Sequence, residues 1–179
     1  MPFIEAQTLP KGYQLGSWSI EERLADLEAQ YESWTTLPKV YHQLQAHERR
    51  RQWLAARLLI AEMLQSCPSA LQRDVWGRPY YQGLHCSISH ATGKAIAVVG
   101  HAPCGVDLEY PQARLRILAH KFLHTEELAA FDVQSISLQE LTMLWGAKEA
   151  MYKLYGKRGL SLRQHYRIMH FEWSANPKH

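Results

Sequence analysis

Cysteine is scarce in this sequence of 179 residues, which contains three. Cys67, Cys86 and Cys104 are odd in number and have no short paired spacing, so they indicate neither a disulfide framework nor a zinc knuckle. Free cysteines suit a reducing compartment, and the N-terminus lacks the basic-then-apolar order of a signal peptide. We therefore expect a cytoplasmic protein.

Long apolar runs and a strong net charge are also lacking. No apolar segment approaches the roughly 20 residues that span a bilayer, so we expect no membrane association. The formal charge of +3 is too small to argue for nucleic-acid binding, although it is compatible with an acidic partner or a phosphorylated substrate. The usual glycine-rich phosphate loop is missing, which argues against an ordinary nucleotide-binding module.

The composition itself is that of a folded protein, with 46% hydrophobic and 21% charged residues. The length allows one compact domain or two small halves that share a core. A helix followed by a strand pair is predicted before residue 100, and a helix and a strand are predicted again after it. We therefore divide the chain into an N-terminal half, residues 1–100, and a C-terminal half, residues 101–179.

Helical periodicity is strongest over residues 47–64 and 138–155, where apolar side chains recur on one face. Ser19 is expected to cap a shorter helix. Thr125 is expected to cap another that continues through Phe131. Loose alternation predicts a final strand over residues 166–173.

Two carboxylates lie in a short segment after a predicted strand over residues 94–100. In an extended chain alternate side chains point the same way, so Asp107 and Glu109 are expected to project together. Two close carboxylates need a cation between them, and Mg²⁺ prefers such oxygen ligands. The alternative is an ordinary solvated strand face.

Arg50 and Arg57 lie seven positions apart on the first long helix, and therefore on nearly the same face. A basic ridge is most often a solvated surface. The functional alternative is a phosphate clamp, which the planar guanidinium group suits. Nucleic-acid binding would need more basic residues and exposed aromatics along this ridge. These are missing, so we expect no nucleic-acid partner.

The second long helix carries Lys148 within its apolar stripe, where a charge is costly unless it is paired. Glu149 and Lys153 lie four positions apart at the edge of that stripe. They form either an ordinary helical salt bridge or, together with Lys148, part of a phosphate and metal site.

A turn and the end of a strand, between the two long helices, also carry candidate residues. Residues 76–79, Trp-Gly-Arg-Pro, form a turn that leads into a short strand. Ser89 and His90 end the next predicted strand, where they could present polar groups to an anion. A surface histidine is the simpler interpretation, and neighbouring strand residues cannot form a hydrolytic triad because they face opposite ways.

Taken together, these motifs resemble the 4′-phosphopantetheinyl transferase superfamily, in its surfactin-type, single-chain branch. The resemblance covers roughly residues 46–162 and follows the order of the family's motifs. The matching segments are Gly-Arg-Pro at 77–79, Ser-Ile-Ser-His at 87–90, Gly-Val-Asp-Leu-Glu at 105–109, Lys-Phe-Leu with Glu-Glu at 121–127, and the Trp-to-Lys signature at 145–153.

The resemblance implies transfer of the phosphopantetheine arm of coenzyme A to a serine of an apo acyl or peptidyl carrier protein, with release of 3′,5′-ADP. It implies Mg²⁺ held by Asp107, Glu109 and Glu149. Glu149 and Lys153 are then the catalytic pair. The expected coenzyme A contacts are Arg50, Arg57, Arg78, Ser89, His90, Lys148 and Lys153.

The implied fold is α+β, with two similar halves related by a pseudo-twofold axis and the site between them. Such an internal pseudo-dimer is expected to be monomeric. Members of this branch generally continue well past the Gly-Leu-Ser element at residues 159–161, whereas this sequence stops at His179. The rival hypothesis is a catalytically silent relative that binds coenzyme A or a carrier protein.

Overall fold

The computed structural model describes residues 4–169. Its N-terminal part is an antiparallel sheet of six strands in the order β1-β2-β6-β5-β4-β3. The strands are β1 (Ile4–Thr8), β2 (Gln14–Ser19), β3 (Gln72–Arg73), β4 (Pro79–Tyr81), β5 (Leu84–Ala91) and β6 (Lys94–Gly100).

Two tight hairpins set the register of β4, β5 and β6. Gln82 and Gly83 join β4 to β5 with positive φ angles of 42° and 90°. Positive φ at both central residues is typical of the hairpin turn whose twist matches that of the flanking strands. The next hairpin pairs Ala91 with Lys94 and places Ser89 opposite Ile96. Ser89 therefore lies near the end of β5, as the sequence predicted.

One long helix, α3 (His47–Leu64), packs on this sheet, and two shorter helices, α1 (Leu24–Glu32) and α2 (Lys39–His42), precede it. The buried face of α3 meets β6, β2 and β5. Trp18, Leu54 and Leu58 are fully buried in the resulting core. This core belongs to the N-terminal half alone.

The C-terminal half has a second core, built between helices. These are α4 (Arg114–Phe122), α5 (Thr125–Ala130), α6 (Leu138–Tyr155) and α7 (Leu162–His165). Phe122, Leu123, Leu141 and Leu144 are its most deeply buried members. Ser137 caps α6 through a reciprocal pair of hydrogen bonds with Glu140.

The sequence located the long elements correctly. Helices α3 and α6 have the predicted bounds, 47–64 and 138–155, and β6 has the predicted bounds 94–100. The mixed α+β class is confirmed. None of the helices that the structure describes is long and apolar enough to cross a membrane.

Several local predictions were wrong. Ser19 caps no helix, because it pairs with Lys94 as the last residue of β2, and α1 begins at Leu24. His124 rather than Thr125 caps α5, which ends at Ala130.

The predicted strands of the C-terminal half are also not found. Residues 105–109 belong to no strand. Residues 166–169 of the predicted final strand are irregular, and residues 170–173 lie outside the described residues. Between residues 101 and 169 the structure has helices but no strand, so it does not show two similar α+β halves.

The two halves meet where residues 105–109 pass between β5 and α6. A Cβ atom on Gly105 would lie 2.0 Å from the carbonyl oxygen of Ala150, so only glycine allows this approach. The Val106 N–H donates to the Ser87 hydroxyl oxygen at 3.1 Å. Arg78 donates to the Leu154 carbonyl oxygen at 3.0 Å. These contacts place the predicted acidic segment against both halves.

Candidate functional site

A cavity of about 530 Å³ lies at the junction of the two halves. Its walls come from α3, from β3 to β5 and the turn between β3 and β4, and from the end of α6. Several cationic side chains line it: Arg49, Arg57, Arg73, Arg78, Lys153 and Arg158. None of the described residues that line it is a carboxylate. We call it the cationic cavity, and its charge suits a polyanion.

Arg57 is held in this cavity by its neighbour Trp53 on α3. Its guanidinium group stacks over the Trp53 ring, 3.4 Å from the ring centroid, and donates to the Trp53 carbonyl oxygen at 3.2 Å. Burial lowers the pKa of Arg57 to about 10, which leaves the group charged at neutral pH. It makes no ion pair with any described residue, so its charge is available to a bound anion.

Arg50, which was expected to lie on the same helix face as Arg57, points away from the cationic cavity. The Arg50 Nε donates to the Leu44 carbonyl oxygen at 2.7 Å, and its guanidinium lies 5.6 Å from the Tyr41 ring centroid. Arg50 does not line the cationic cavity, whereas Arg49 does. Arg49 lies four and eight positions before Trp53 and Arg57, a spacing that keeps all three on one helix face.

Arg78 is held by the turn that precedes it. The Asp74 carboxylate accepts hydrogen bonds from the backbone N–H groups of Trp76 and Arg78, both at 2.9 Å. The Arg78 side chain forms an ion pair with Asp74 at 2.7 Å. Gly77 adopts a φ of 83°, which closes this turn. Because Arg78 also contacts Leu154, the predicted turn fixes one wall of the cavity against α6.

Ser89, Asp107 and Lys153 form a closed network. The Lys153 ammonium donates to Asp107 Oδ1 at 2.7 Å, to the Ser89 hydroxyl oxygen at 3.0 Å and to the Val106 carbonyl oxygen at 3.0 Å. The Ser89 hydroxyl in turn donates to Asp107 Oδ1 at 2.9 Å. All three protons of the ammonium are therefore used. The structure brings these three predicted residues together.

His90 also lines the cationic cavity, and it is partly buried. Burial and then the positive charge of Arg49 lower its pKa below the ordinary value. The imidazole is therefore neutral at pH 7, and it can meet an anion only as a hydrogen-bond donor through one ring nitrogen.

Asp107 and Glu109 face the same side, as their alternation predicted, although the segment is not a strand. Both line a smaller cavity of about 270 Å³ against Thr142, Met143 and Gly146 of α6. We call this the acidic cleft. Burial and then the charge of Asp107 raise the pKa of Glu149, so these two carboxylates are close enough to repel each other.

The three carboxylates nevertheless do not fit a Mg²⁺ site as they stand. Asp107 Oδ1 is engaged by Lys153 and Ser89, and Glu109 accepts a hydrogen bond from the Gln112 amide at 2.7 Å. Among residues 4–169, no group of three or more His, Cys, Asp or Glu side chains is placed to hold a metal ion. The three predicted metal ligands, Asp107, Glu109 and Glu149, thus lie in the same region, but their carboxylates do not converge on one metal position.

Lys148 does not reach either cavity. Its side chain is 0% exposed and pairs with Glu127 at 2.5 Å. The same ammonium donates to the carbonyl oxygens of Leu162 and Tyr166. Lys148 thus points into the helical core. It lies about 100° around α6 from Glu149, so the two neighbouring side chains face different surroundings. The structure gives this residue a packing role and no route to a ligand.

Sequence reasoning missed three arginines of the cationic cavity: Arg49, Arg73 and Arg158. For Arg49 the helical spacing to Trp53 was a usable signal. Arg73 and Arg158 lie outside the long helices, where no periodicity indicates which way a side chain points.

Comparison with known proteins supports part of this picture. Residues 103–178 match the family model of the 4′-phosphopantetheinyl transferase superfamily. The match covers less than half of the chain and includes Asp107, Glu109, Glu149 and Lys153. No curated protein matches the sequence.

Proposed function

We propose that this protein transfers the 4′-phosphopantetheine arm of coenzyme A to a serine of an apo carrier protein. One observation supports this most. The cationic cavity, which suits a polyanion, adjoins the acidic cleft, and the ion pair between Lys153 and Asp107 lies between them. Coenzyme A is a polyanion with a pyrophosphate and a ribose phosphate, and the matched family acts on it.

In this proposal the cationic cavity binds the phosphates and the adenosine. Arg57 and Arg78 contribute fixed guanidinium groups, and Arg49, Arg73 and Arg158 add charge around them. A guanidinium prefers phosphate because its fork of donors matches two oxygens at once. His90 and Lys153 line the cationic cavity, and Ser89 accepts a hydrogen bond from Lys153 beside it. The pyrophosphate then lies near Lys153, at the end nearest the acidic cleft.

The transfer is a displacement at phosphorus. The carrier serine Oγ attacks the phosphorus that bears the pantetheine, and a new P–O bond forms. The bond from this phosphorus to the oxygen shared with the adenosine 5′-phosphate breaks, and 3′,5′-ADP leaves with that oxygen. Glu149 accepts the serine proton, since its raised pKa makes it a better base than an ordinary carboxylate. Lys153 stabilises the charge on the leaving phosphate.

Other parts of the proposal rest on the sequence and on the resemblance. These are the surfactin-type, single-chain branch, the pseudo-twofold relation between halves, Mg²⁺ dependence, a monomeric state and a cytoplasmic location. We derive no step through Mg²⁺, because the carboxylates present do not fit it as arranged.

Release of 3′,5′-ADP, quantified by chromatography, tests the proposal. The protein is incubated with coenzyme A, Mg²⁺ and apo carriers of fatty-acid, polyketide and peptide-synthetase type. Release that requires an apo carrier is the expected result. Release without a carrier would indicate coenzyme A hydrolysis instead. Coenzyme A binding without release would favour the catalytically silent alternative.

Arg57→Met is expected to raise the KM for coenzyme A about tenfold, because it removes a charge-assisted contact. Arg23→Met is the matched control. Arg23 is exposed on the surface before α1 and forms an ion pair with Asp26. An equal KM in both variants would contradict the assignment of the cationic cavity to coenzyme A.

A further inference from the structure

Strand β5 buries residues on both of its faces, and one face carries hydroxyl groups. Cys86 belongs to the N-terminal core, and Ile88 packs against that core from the same face. Ser87 and Ser89 alternate with them and therefore point to the other face, where they are 3% and 7% exposed. A buried hydroxyl needs a hydrogen-bonding partner. On this face the partner is the segment at residues 105–109.

The two serines hold different groups of that segment. The Ser87 hydroxyl oxygen accepts a hydrogen bond from the Val106 N–H at 3.1 Å. The Ser89 hydroxyl donates to Asp107 Oδ1 at 2.9 Å. From α6, Lys153 donates to the Val106 carbonyl oxygen at 3.0 Å. Both backbone polar groups of Val106 are thus used although the segment belongs to no strand, and Ser87 supplies the acceptor that a neighbouring strand would otherwise provide.

We propose that Ser87 is a positioning residue, which sets where Asp107 and Lys153 lie at the boundary of the cationic cavity. Its hydrogen bond fixes the backbone one residue before Asp107. Lys153 donates both to that backbone and to the Asp107 carboxylate, so a displaced segment takes the ammonium with it. The inference rests on the proposed function, in which Lys153 stabilises the charge on the leaving phosphate.

The contacts around Val106 limit how the segment responds when the hydroxyl is lost. The Val106 N–H is then without its acceptor, which is unfavourable because this backbone is partly buried. The N–H can regain a hydrogen bond, to water, only if the segment moves away from β5. Gly105 restricts that movement on the α6 side, where even a Cβ atom would meet the Ala150 carbonyl oxygen. The displacement is therefore small, and it changes the geometry of the ion pair rather than the fold.

The kinetics of 3′,5′-ADP release test this role. Ser87→Ala is expected to lower kcat about tenfold, because a small misplacement of a group that acts on the reacting phosphate costs rate. The KM for coenzyme A is expected to change by less than about twofold. Arg57 and Arg78 are held by neighbours on α3 and in the turn before β4, so their contribution to binding does not depend on Ser87.

Two further variants separate positioning from a general loss of stability. Ser87→Thr retains the hydroxyl and is expected to restore most of kcat. Ser17→Ala is the matched control, because it removes a hydroxyl of the same sheet that donates to Glu5 at 3.4 Å, away from the segment. Its kcat is expected to equal that of the wild type. If Ser87→Ala does not fold, Ser87→Cys replaces it, since a thiol is nearly isosteric with the hydroxyl but a weak acceptor.

Two nuclear magnetic resonance measurements test the same role without transfer. The Val106 amide is expected to exchange with solvent about tenfold faster in Ser87→Ala, while the amides of β6 keep their rates. The Lys153 ammonium is held by three acceptors in the wild type. Its signal in isotope-labelled protein is expected to broaden in Ser87→Ala and to persist in Ser87→Thr. Lys153→Arg identifies this signal by its loss.

A Ser87→Ala protein with the kcat and the Lys153 signal of the wild type would overturn the proposal. Equal losses of kcat in Ser87→Thr or in Ser17→Ala would also overturn it, as would unchanged exchange at Val106. A wild type that transfers nothing would contradict the proposed function instead, and the two resonance measurements would then decide the role of Ser87 alone.

Discussion

Two lysines on α6 show how strongly surroundings decide what one residue type does. Lys148 is fully buried against Glu127, whereas Lys153, five positions further along the helix, is partly exposed and bridges two cavities. The sequence placed both in one phosphate site. It could not separate them, because Glu127 lies in another helix and nothing in α6 indicates that partner.

Lys148→Met is expected to destabilise the protein by about 3–5 kcal/mol, because it leaves the Glu127 carboxylate buried without its cation. Urea unfolding at neutral pH measures the loss. The double variant with Glu127→Gln removes the orphaned charge and should recover part of it. A loss below about 1 kcal/mol in the single variant would mean that the pair is not buried as described.

The same pair predicts an acid-sensitive stability. Burial alone would raise the pKa of Glu127, but hydrogen bonds from Lys148, Ile168 and His124 outweigh it and lower the pKa below its ordinary value of 4.5. Because the pKa of Glu127 is lower in the folded state, its ionised carboxylate stabilises the fold at pH values above 4.5. This stabilisation is lost as the pH falls below 4.5 towards the folded-state pKa. Glu127→Gln should therefore show a flatter decline in unfolding free energy on acidification. Identical pH profiles for the two proteins would contradict the assignment.

At the level of elements, the close approach of residues 105–109 to α6 joins the two halves of the chain. The long helices could be predicted because many apolar positions agree on one period. The acidic segment could not be placed in this way. It contacts Ser87, Lys153 and the backbone at Ala150, which are distant in sequence, and no sheet ladder holds it.

Two glycine substitutions distinguish a required close approach from ordinary packing. A Cβ on Gly105 would meet the Ala150 carbonyl carbon at 2.9 Å as well as its oxygen, so Gly105→Ala is expected to displace the segment and lower stability by about 1–3 kcal/mol. A Cβ on Gly146 would lie 3.6 Å from Asp107 Oδ2, an ordinary contact. Gly146→Ala is expected to stabilise α6 by up to about 1 kcal/mol.

Thermal unfolding of the two variants beside the wild type provides the measurement. The expected order of stability is Gly146→Ala, wild type, Gly105→Ala. If Gly105→Ala were as stable as the wild type, the segment would not be packed against α6 in the way described.

At the level of the whole molecule, the charge distribution matters more than the total charge. A formal charge of +3 gave no reason to expect a strongly basic site. The fold collects arginines from α3, from β3 and the turn after it, and from the loop after α6 around one cavity, and it keeps carboxylates out of the described lining. Such a concentration arises from topology, which the separate motifs could not show.

The junction between the halves brings some of the predicted site residues together and leaves others apart. Arg57, Arg78, Ser89, His90 and Lys153 all line the cationic cavity or its boundary network. Each belongs to a motif or helix face that the sequence displayed. Arg50, Glu109 and Lys148 instead contact Leu44, Gln112 and Glu127, and the sequence pattern did not indicate these partners.

The intact mass of an apo carrier protein after incubation with this protein, coenzyme A and Mg²⁺ tests the proposed transfer most directly. We expect the carrier to gain the mass of one phosphopantetheine with the wild type and none with Glu149→Gln, which removes the proton acceptor. The far-ultraviolet circular dichroism of the variant is expected to match that of the wild type. An unchanged carrier mass with the wild type, for carriers of all three pathway types, would contradict the proposed function.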